Sequence, residues 1–191
     1  TKRVIMKNYS KGLLSVIILG VLFAGSADKP AYNDLKGFEP LVGEWVGENE
    51  AIGIIEGLTD EGAKKTIELS TYRLLLDKTS VQRELKTREA EGKTVINIGT
   101  TIYTLDPVTK NIVSTSFGYD GPIYWTGHGR ASINGNNYLF NIEEVTINGT
   151  YTEYTIQLNL DGKNRLKWQL KNVIQNQKKL PDAQERLLKR K

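Results

Sequence analysis

The 191-residue chain contains no cysteine, one histidine and one methionine. Without cysteine, the protein cannot form disulfides, carry a lipid on an N-terminal cysteine, use a thiolate in catalysis, or hold zinc or an iron–sulfur cluster through sulfur. With one histidine, a zinc site built from protein ligands would need three carboxylates, which is an unusual set. The composition therefore predicts a domain that its hydrophobic core alone stabilises, and we expect no metal site.

The apolar run near the start of the chain is too short to cross a membrane. Leu13–Ala24 offers about 12 residues, whereas a helix needs about 20 to span the bilayer core. The run follows four basic residues with no acid among them, and it ends at the small residues Gly25-Ser26-Ala27. This is the pattern of a secretory signal peptide. We predict a signal peptide at residues 1–27, with translation starting at Met6 and the mature chain beginning at Asp28.

An uncleaved membrane anchor is the alternative interpretation of the same segment. If the signal peptide is removed, we expect a periplasmic or secreted protein with no stable membrane span after cleavage.

Excess positive charge is confined to the two ends of the chain. The four bases before Asp28 account for the whole net charge of +4, so the remainder is neutral. We therefore expect no nucleic-acid partner. Residues 178–191 hold six bases and two acids, and we expect a solvated basic tail, with contact to a membrane or a partner as the alternative. The sequence does not define an oligomeric state.

Between residues 41 and 174 the chain alternates β-prone runs with turn residues. Runs rich in Thr, Tyr, Ile and Val are separated by turn signals such as Asp120-Gly121 and Asn148-Gly149. No helical segment is long enough for a βαβ crossover, and no repeat of fixed period is visible. We predict an all-β domain at residues 28–177, an antiparallel up-and-down meander closed into a barrel of about 8–10 strands. A β-sandwich is the alternative. The predicted strands are 41–50, 65–77, 80–89, 94–105, 112–119, 123–133, 138–147, 150–160 and 165–174.

Two arginines fall on strand faces that are otherwise apolar. Side chains two apart on a strand share a face, so Arg83 is predicted to point inward with Val81 and Leu85. By the same rule Arg73 shares a face with Leu69 and other apolar residues of its strand. Each arginine either anchors a ligand in the barrel or reaches the rim and pairs with a glutamate. The inward face of the ninth strand is predicted to carry Leu166, Trp168, Leu170 and Ile174.

The segment Leu41–Gly47 reads Leu-Val-Gly-Glu-Trp-Val-Gly. It resembles the Leu-x-Gly-x-Trp-x-Gly opening of lipocalin-like barrels of the calycin group, which include nitrobindin-type haem barrels and several bacterial families of unknown function. Gly118–Gly121 and Trp125–Gly129 resemble the bacterial families more than the true lipocalins. The resemblance covers most of residues 38–174 and implies a lipocalin-like barrel that holds a ligand. It also implies that Trp45 closes the bottom of the barrel as a core residue.

His128 is the single histidine and the candidate for acid–base catalysis or haem ligation. Alternation places it on the face opposite Trp125, so we expect it to point outward in a structural role. The Tyr-Pro-Thr-Ile segment that follows the opening motif in nitrobindin-like proteins is absent, because residues 51–55 read Ala-Ile-Gly-Ile-Ile. We therefore expect neither haem nor another cofactor.

The predicted function is that of a binding module whose barrel holds one small hydrophobic or amphipathic molecule, rather than that of an enzyme. Inward aromatic residues and the two arginines are the ligand-binding candidates: Arg73, Arg83, Tyr103, Trp125, Tyr154 and Trp168. One alternative is an envelope enzyme that uses the same cavity, with His128 or a buried arginine–carboxylate pair as the acid and base. The other is a barrel with a solid core and a structural or interaction role.

Overall fold

The computed structural model of the chain describes residues 35–50, 65–92 and 94–191. The predicted signal peptide at residues 1–27 and its cleavage site lie outside these residues. Within the described part, no helix is long and apolar enough to cross a membrane.

A short 3₁₀ helix precedes a long meander of β-strands. The helix spans Lys36–Leu41. The strands are β1 (Gly43–Glu50), β2 (Lys65–Leu75), β3 (Ser80–Glu89), β4 (Val95–Leu105), β5 (Ile112–Asp120), β6 (Ile123–Asn134), β7 (Asn137–Thr146), β8 (Tyr151–Asp161), β9 (Arg165–Gln175), β10 (Lys178–Lys179) and β11 (Arg186–Arg190).

The sheet closes on itself. Each strand from β1 to β9 pairs antiparallel with the next one along the chain, and β10 and β11 lie along the free edge of β9. β11 also pairs with β1, where Trp45 lies beside Arg190. The wall is therefore a closed antiparallel barrel of ten strands, β1 to β9 and β11. This confirms the predicted all-β up-and-down barrel, and closure removes the exposed edges that a meander would leave.

The end of the chain differs from its prediction. The sequence predicts a barrel that ends at residue 177 and a solvated basic tail after it, but Arg186–Arg190 forms the strand that closes the barrel. Arg186 and Leu188 point inward and are buried, while Lys189 faces solvent. The segment is a five-residue strand with ordinary alternation of side chains, and its high charge is the reason that the sequence predicts a tail instead.

The inward face of β2 is polar, which reverses the predicted orientation of this strand. Thr66, Glu68, Ser70 and Tyr72 are buried inside the barrel. Arg73 lies on the outer face, where it forms an ion pair with Glu84 at 3.0 Å. The prediction that Arg73 points inward is therefore wrong, because the apolar residues of this strand face outward with it.

A bulge near the end of β9 reverses the direction of its last side chains. Asn172 has a positive φ of 53°, and the register between β8 and β9 shifts opposite this position. Leu166 and Trp168 face inward as predicted, but beyond the bulge Val173 is buried and Ile174 is exposed. The predicted inward orientation of Ile174 is wrong, since one extra residue moves the following side chains to the other face.

The 3₁₀ helix plugs one end of the barrel. Its residues Phe38 and Leu41 are fully buried, and the ring of Phe38 packs against Tyr103 at a centroid distance of 5.0 Å. Trp45 is 0% exposed and donates its Nε1 hydrogen to the carbonyl oxygen of Leu41 at 2.8 Å. These contacts confirm Trp45 as a core residue of the closed end.

Candidate ligand-binding cavity

A cavity of about 350 Å³ occupies the barrel above this plug, at the small end of the size range of small-molecule sites. It lies towards the end that carries the β3–β4, β5–β6 and β7–β8 turns. Asn148, in the β7–β8 turn, both lines the cavity and is exposed, so the cavity opens at this end. A barrel with a solid core does not fit this arrangement.

Four of the six predicted ligand-binding residues line the cavity. They are Arg83, Trp125, Tyr154 and Trp168. Tyr103 is buried but belongs to the plugged end, where its ring also packs against Phe140. Arg73 is outside the barrel, about half exposed.

The floor of the cavity combines one buried carboxylate with two buried guanidinium groups. We call Glu68, Arg83 and Arg186 the basic floor. Glu68 is 1% exposed. Its Oε2 accepts hydrogen bonds from Arg186 Nη1 and Trp168 Nε1, both at 3.2 Å. Burial raises the pKa of Glu68, although the charges of Arg83 and Arg186 partly oppose this shift. Even with Glu68 ionised, the basic floor carries one positive charge in excess.

Arg83 is the less fully paired arginine of the basic floor. Its Nε donates to Ser70 Oγ at 3.0 Å, and its guanidinium carbon is 5.9 Å from the centroid of the Tyr72 ring. Its Nη2 is 3.8 Å from Glu68 Oε1, which is beyond hydrogen-bond range, and this oxygen accepts no hydrogen bond from the described residues. A guanidinium group has five N–H donors. One of those of Arg83 donates to Ser70 and another is within hydrogen-bond reach of the Tyr103 hydroxyl, so the remaining donors are open to a further acceptor.

Two acids face the upper part of the cavity, and we call Asp120 and Glu144 the mouth acids. Asp120 is 4% exposed and accepts a hydrogen bond from Asn97. Glu144 accepts one from the Tyr154 hydroxyl at 2.8 Å. Burial raises the pKa of Asp120 to about 6. Burial, with a further contribution from the charge of Asp120, raises the pKa of Glu144 to about 7. Both acids are thus partly protonated close to neutral pH.

The ring of Trp125 packs closely against two glycines of the barrel wall. Gly99 and Gly118 are cross-strand partners, and a Cβ atom at either would lie 2.7 or 2.6 Å from the Trp125 ring. Only glycine leaves the space that the indole occupies at these positions. The Trp125 Nε1 atom is buried, and it is close enough to Asp120 to lower the pKa of that acid, but it makes no hydrogen bond of normal geometry within the described residues.

His128 lies on the outer wall, as the alternation predicts. Its side chain is 74% exposed, and Nε2 is 3.5 Å from Glu143 Oε2, which also accepts a hydrogen bond from the Tyr151 hydroxyl at 2.9 Å. Since His128 is the single histidine, the cavity has no imidazole to ligate a haem iron, and the donor set does not fit a histidine-ligated haem. Because its side chain lies on the outer wall, His128 cannot act on a molecule inside the barrel.

The sequence alone did not identify four of the polar cavity residues. Alternation puts Glu68 on the outer face of β2, and the predicted tail includes Arg186. Asp120 has the typical sequence of a turn, and Glu144 has no local signal because its neighbour in space, Asp120, belongs to a strand distant in sequence. Within the described residues, no group of three or more acids or histidines is arranged to hold a metal ion.

Comparison with known proteins supports the fold. No protein-family model matches the chain, and no curated protein matches it. Among solved structures, the crystal structure of Rv2717c from M. tuberculosis is similar, with a TM-score of 0.56 and 14% sequence identity over 83% of this chain and 97% of that chain. At this identity the similarity supports a barrel fold alone, and it does not identify the lipocalin-like or nitrobindin-type family that the opening motif implies.

Proposed function

We propose that this protein binds one small, partly apolar molecule with an anionic group, and that Arg83 receives this group on the floor of the cavity. The observation that carries the proposal is the excess positive charge of the basic floor. A buried guanidinium group with open donors is costly, and an anion that accepts its hydrogen bonds removes this cost. A carboxylate suits a guanidinium best, because its two oxygens match two parallel N–H groups.

The walls of the cavity support a ligand that is apolar away from this group. Aromatic and aliphatic side chains line much of the cavity between the floor and the mouth: Leu85, Ile123, Trp125, Ile142, Ile156 and Leu170. Such a lining with a few placed polar groups is typical of sites that hold small molecules. Binding is favoured over catalysis because the one histidine faces away from the cavity.

Export to the periplasm or the medium is part of the proposal, and the pattern of residues 1–27 supports it. N-terminal sequencing of the exported protein should begin at Asp28. A mature chain that still carries Leu13–Ala24 would contradict export as a soluble protein.

Calorimetric titration with two eight-carbon probes tests the proposed binding. Octanoate carries an anionic group and 1-octanol does not, so the parent protein should bind octanoate more tightly and with one molecule per barrel. Arg83→Met should weaken octanoate binding by roughly tenfold or more, since a hydrogen-bonded charge pair is lost. Arg73→Met is the matched control, because Arg73 lies outside the barrel, and it should leave the affinity for octanoate unchanged.

Arg83→Met should fold, because Glu68 keeps its partner Arg186. We expect its free energy of unfolding without ligand to match or exceed that of the parent. Equal octanoate affinity in the parent and in folded Arg83→Met, or equal affinity of the parent for both probes, would contradict the proposed function.

A further inference from the structure

Within the described residues, the mouth acids have no cationic partner. Asp120 and Glu144 come from β5 and β7, and each is hydrogen-bonded to one neutral side chain, Asn97 or Tyr154. Across residues 35–50, 65–92 and 94–191, no lysine, arginine or histidine forms an ion pair with either acid. Their negative charges act on each other when both are ionised. A cation at this place would relieve that repulsion, whereas an apolar group would not.

One buried hydrogen-bond acceptor beside Asp120 has no hydrogen bond from the described residues. It is Oδ1 of Asn97, whose amide nitrogen donates to Asp120, and Asn97 lines the cavity. Buried polar atoms are nearly always hydrogen-bonded in folded proteins, so this oxygen marks a place where an N–H group of a bound molecule completes the network. An ammonium group offers three N–H donors.

Tyr154 connects the mouth acids to the basic floor. Its hydroxyl donates a hydrogen bond to Glu144 at 2.8 Å, and Tyr154 lines the cavity together with Arg83. Burial raises the pKa of this hydroxyl most, the negative charges of Glu144 and Asp120 raise it further, and the positive charge of Arg83 partly opposes the shift. The side chain of Tyr154 therefore borders both charged ends of the cavity. One small molecule that packs along Tyr154 can contact both.

We infer that the mouth acids form a second polar subsite that binds an ammonium group, so that the ligand is amphoteric, with an anionic group at Arg83 and an amine at Asp120 and Glu144. The anionic end rests on the proposed function, and the amine end rests on the mouth acids and the open oxygen of Asn97 beside them. The ligand class is that of small molecules in which an apolar segment separates a carboxylate from an amine.

Octylamine carries an amine but no anionic group, so its binding tests the amine subsite independently of the anionic end. At pH 8, where both mouth acids are largely ionised, the parent protein should bind octylamine more tightly than 1-octanol. The double variant Asp120→Asn, Glu144→Gln keeps the size and most hydrogen bonds of both side chains, and it should bind octylamine about tenfold or more weakly than the parent. Glu143→Gln is the matched control, since Glu143 is the next residue but lies on the outer wall, and it should bind like the parent.

The indole N–H resonance of Trp125, assigned with the Trp125→Phe variant, reports where octylamine binds. It should shift on titration of the parent with octylamine, because this N–H lies beside Asp120. Amino-carboxylates of six, eight and ten carbons then test whether one molecule reaches both ends. At least one of them should bind the parent more tightly than the carboxylate of the same length.

The outcomes separate this inference from the proposed function. Octanoate binding that depends on Arg83, together with octylamine affinity that is equal in the parent and in the folded double variant, would overturn the amine subsite and leave the proposed function standing. Octylamine binding that depends on the mouth acids, without octanoate binding, would overturn the anionic end and with it the amphoteric ligand.

Discussion

Glu68 is the residue on which the electrostatics of the cavity floor depend. It is a fully buried carboxylate within reach of two guanidinium groups, and Arg186 and Trp168 both donate to one of its oxygens. Removing one partner of a buried ion pair is costly because the other charge remains without compensation. Glu68 compensates one arginine, and the second positive charge of the basic floor is left for a ligand.

The mouth acids predict how the stability of the empty barrel depends on pH. Burial raises the pKa of Asp120 from 3.8 to about 6 and that of Glu144 from 4.5 to about 7. Between the ordinary and the raised values the folded state binds more protons than the unfolded state, so the free energy of unfolding falls as the pH rises through this window. Urea denaturation should show an empty protein that is more stable at pH 5 than at pH 8, by roughly 3–4 kcal/mol.

The Asp120→Asn, Glu144→Gln double variant isolates this effect. It should lose most of the pH dependence and keep only the smaller part that Glu68 contributes in the same direction, since burial raises the pKa of Glu68 as well. Glu143→Gln should behave like the parent. The assignment of the raised pKa values to the mouth acids fails if the double variant retains the full pH dependence.

Trp45 is the residue that joins the plug to the closing strand. Its N–H donates to Leu41 in the 3₁₀ helix, and the guanidinium carbon of Arg190 lies 4.2 Å from the centroid of its ring. Trp45→Ala should lower the free energy of unfolding by about 3–5 kcal/mol, as expected for loss of a large buried aromatic side chain. Chemical denaturation measures this change, and a variant as stable as the parent would show that Trp45 does not hold the closed end together.

Alternation along a strand predicts which side chains point inward only where one face of the strand is clearly apolar. It placed Arg83 inside the barrel correctly, because Val81 and Leu85 flank it on the same face. It reversed β2, whose inward face carries Glu68 and other polar residues that serve the cavity. Arg83 itself contained the missing signal, since a buried arginine requires a buried carboxylate close by, and Glu68 on the preceding strand is within reach.

At the scale of secondary-structure elements, β11 completes the wall and secures the plug. It pairs with β9 on one side and β1 on the other. The guanidinium group of Arg190 donates hydrogen bonds to the carbonyl oxygens of Val42, Pro40 and Lys163. These contacts tie the last strand to the end of the 3₁₀ helix and to the β8–β9 turn.

A chain that ends at Glu185 should therefore lose the closed barrel. Without β11, the edges of β1 and β9 are unpaired, and the inward side chains of Arg186 and Leu188 are missing. We expect no cooperative urea transition and weak near-ultraviolet circular dichroism. The control replaces Lys178 and Lys179 of β10 with alanine, which should change the free energy of unfolding by less than about 0.5 kcal/mol, since both are exposed.

A truncated protein that unfolds cooperatively like the parent would show instead that residues 186–191 are a dispensable tail.

The strand order and most strand limits could be predicted because the turns carry strong local signals. Asp120-Gly121, for example, ends β5 within one residue of the predicted limit, and Gly121 has the positive φ that such a turn requires. β11 could not be predicted in the same way, because it is short, highly charged and stabilised by pairing with strands distant in sequence. The bulge at Asn172 is likewise a product of packing between β8 and β9 rather than of a local turn signal.

At the scale of the whole molecule, the two ends of the barrel have different roles: one end is packed for stability and the other holds the cavity. The plugged end holds the tightest aromatic packing, with Phe38, Tyr103 and Phe140 in mutual contact. The other end holds the cavity, with a positive charge at its floor and two acids near its mouth. The sequence predicted the barrel and a cavity with arginine and aromatic side chains, but the charge arrangement depends on which residues of distant strands meet across the interior.

Native mass spectrometry of the protein isolated from the cells that naturally produce it tests the central claim most directly. The parent should retain one small molecule per chain, released by organic solvent, and fragmentation of the released molecule should identify an anionic group on a partly apolar skeleton. Arg83→Met isolated in the same way should carry little or none of it, while Arg73→Met should carry as much as the parent. A retained molecule without an anionic group, or equal retention by Arg83→Met, would contradict the account.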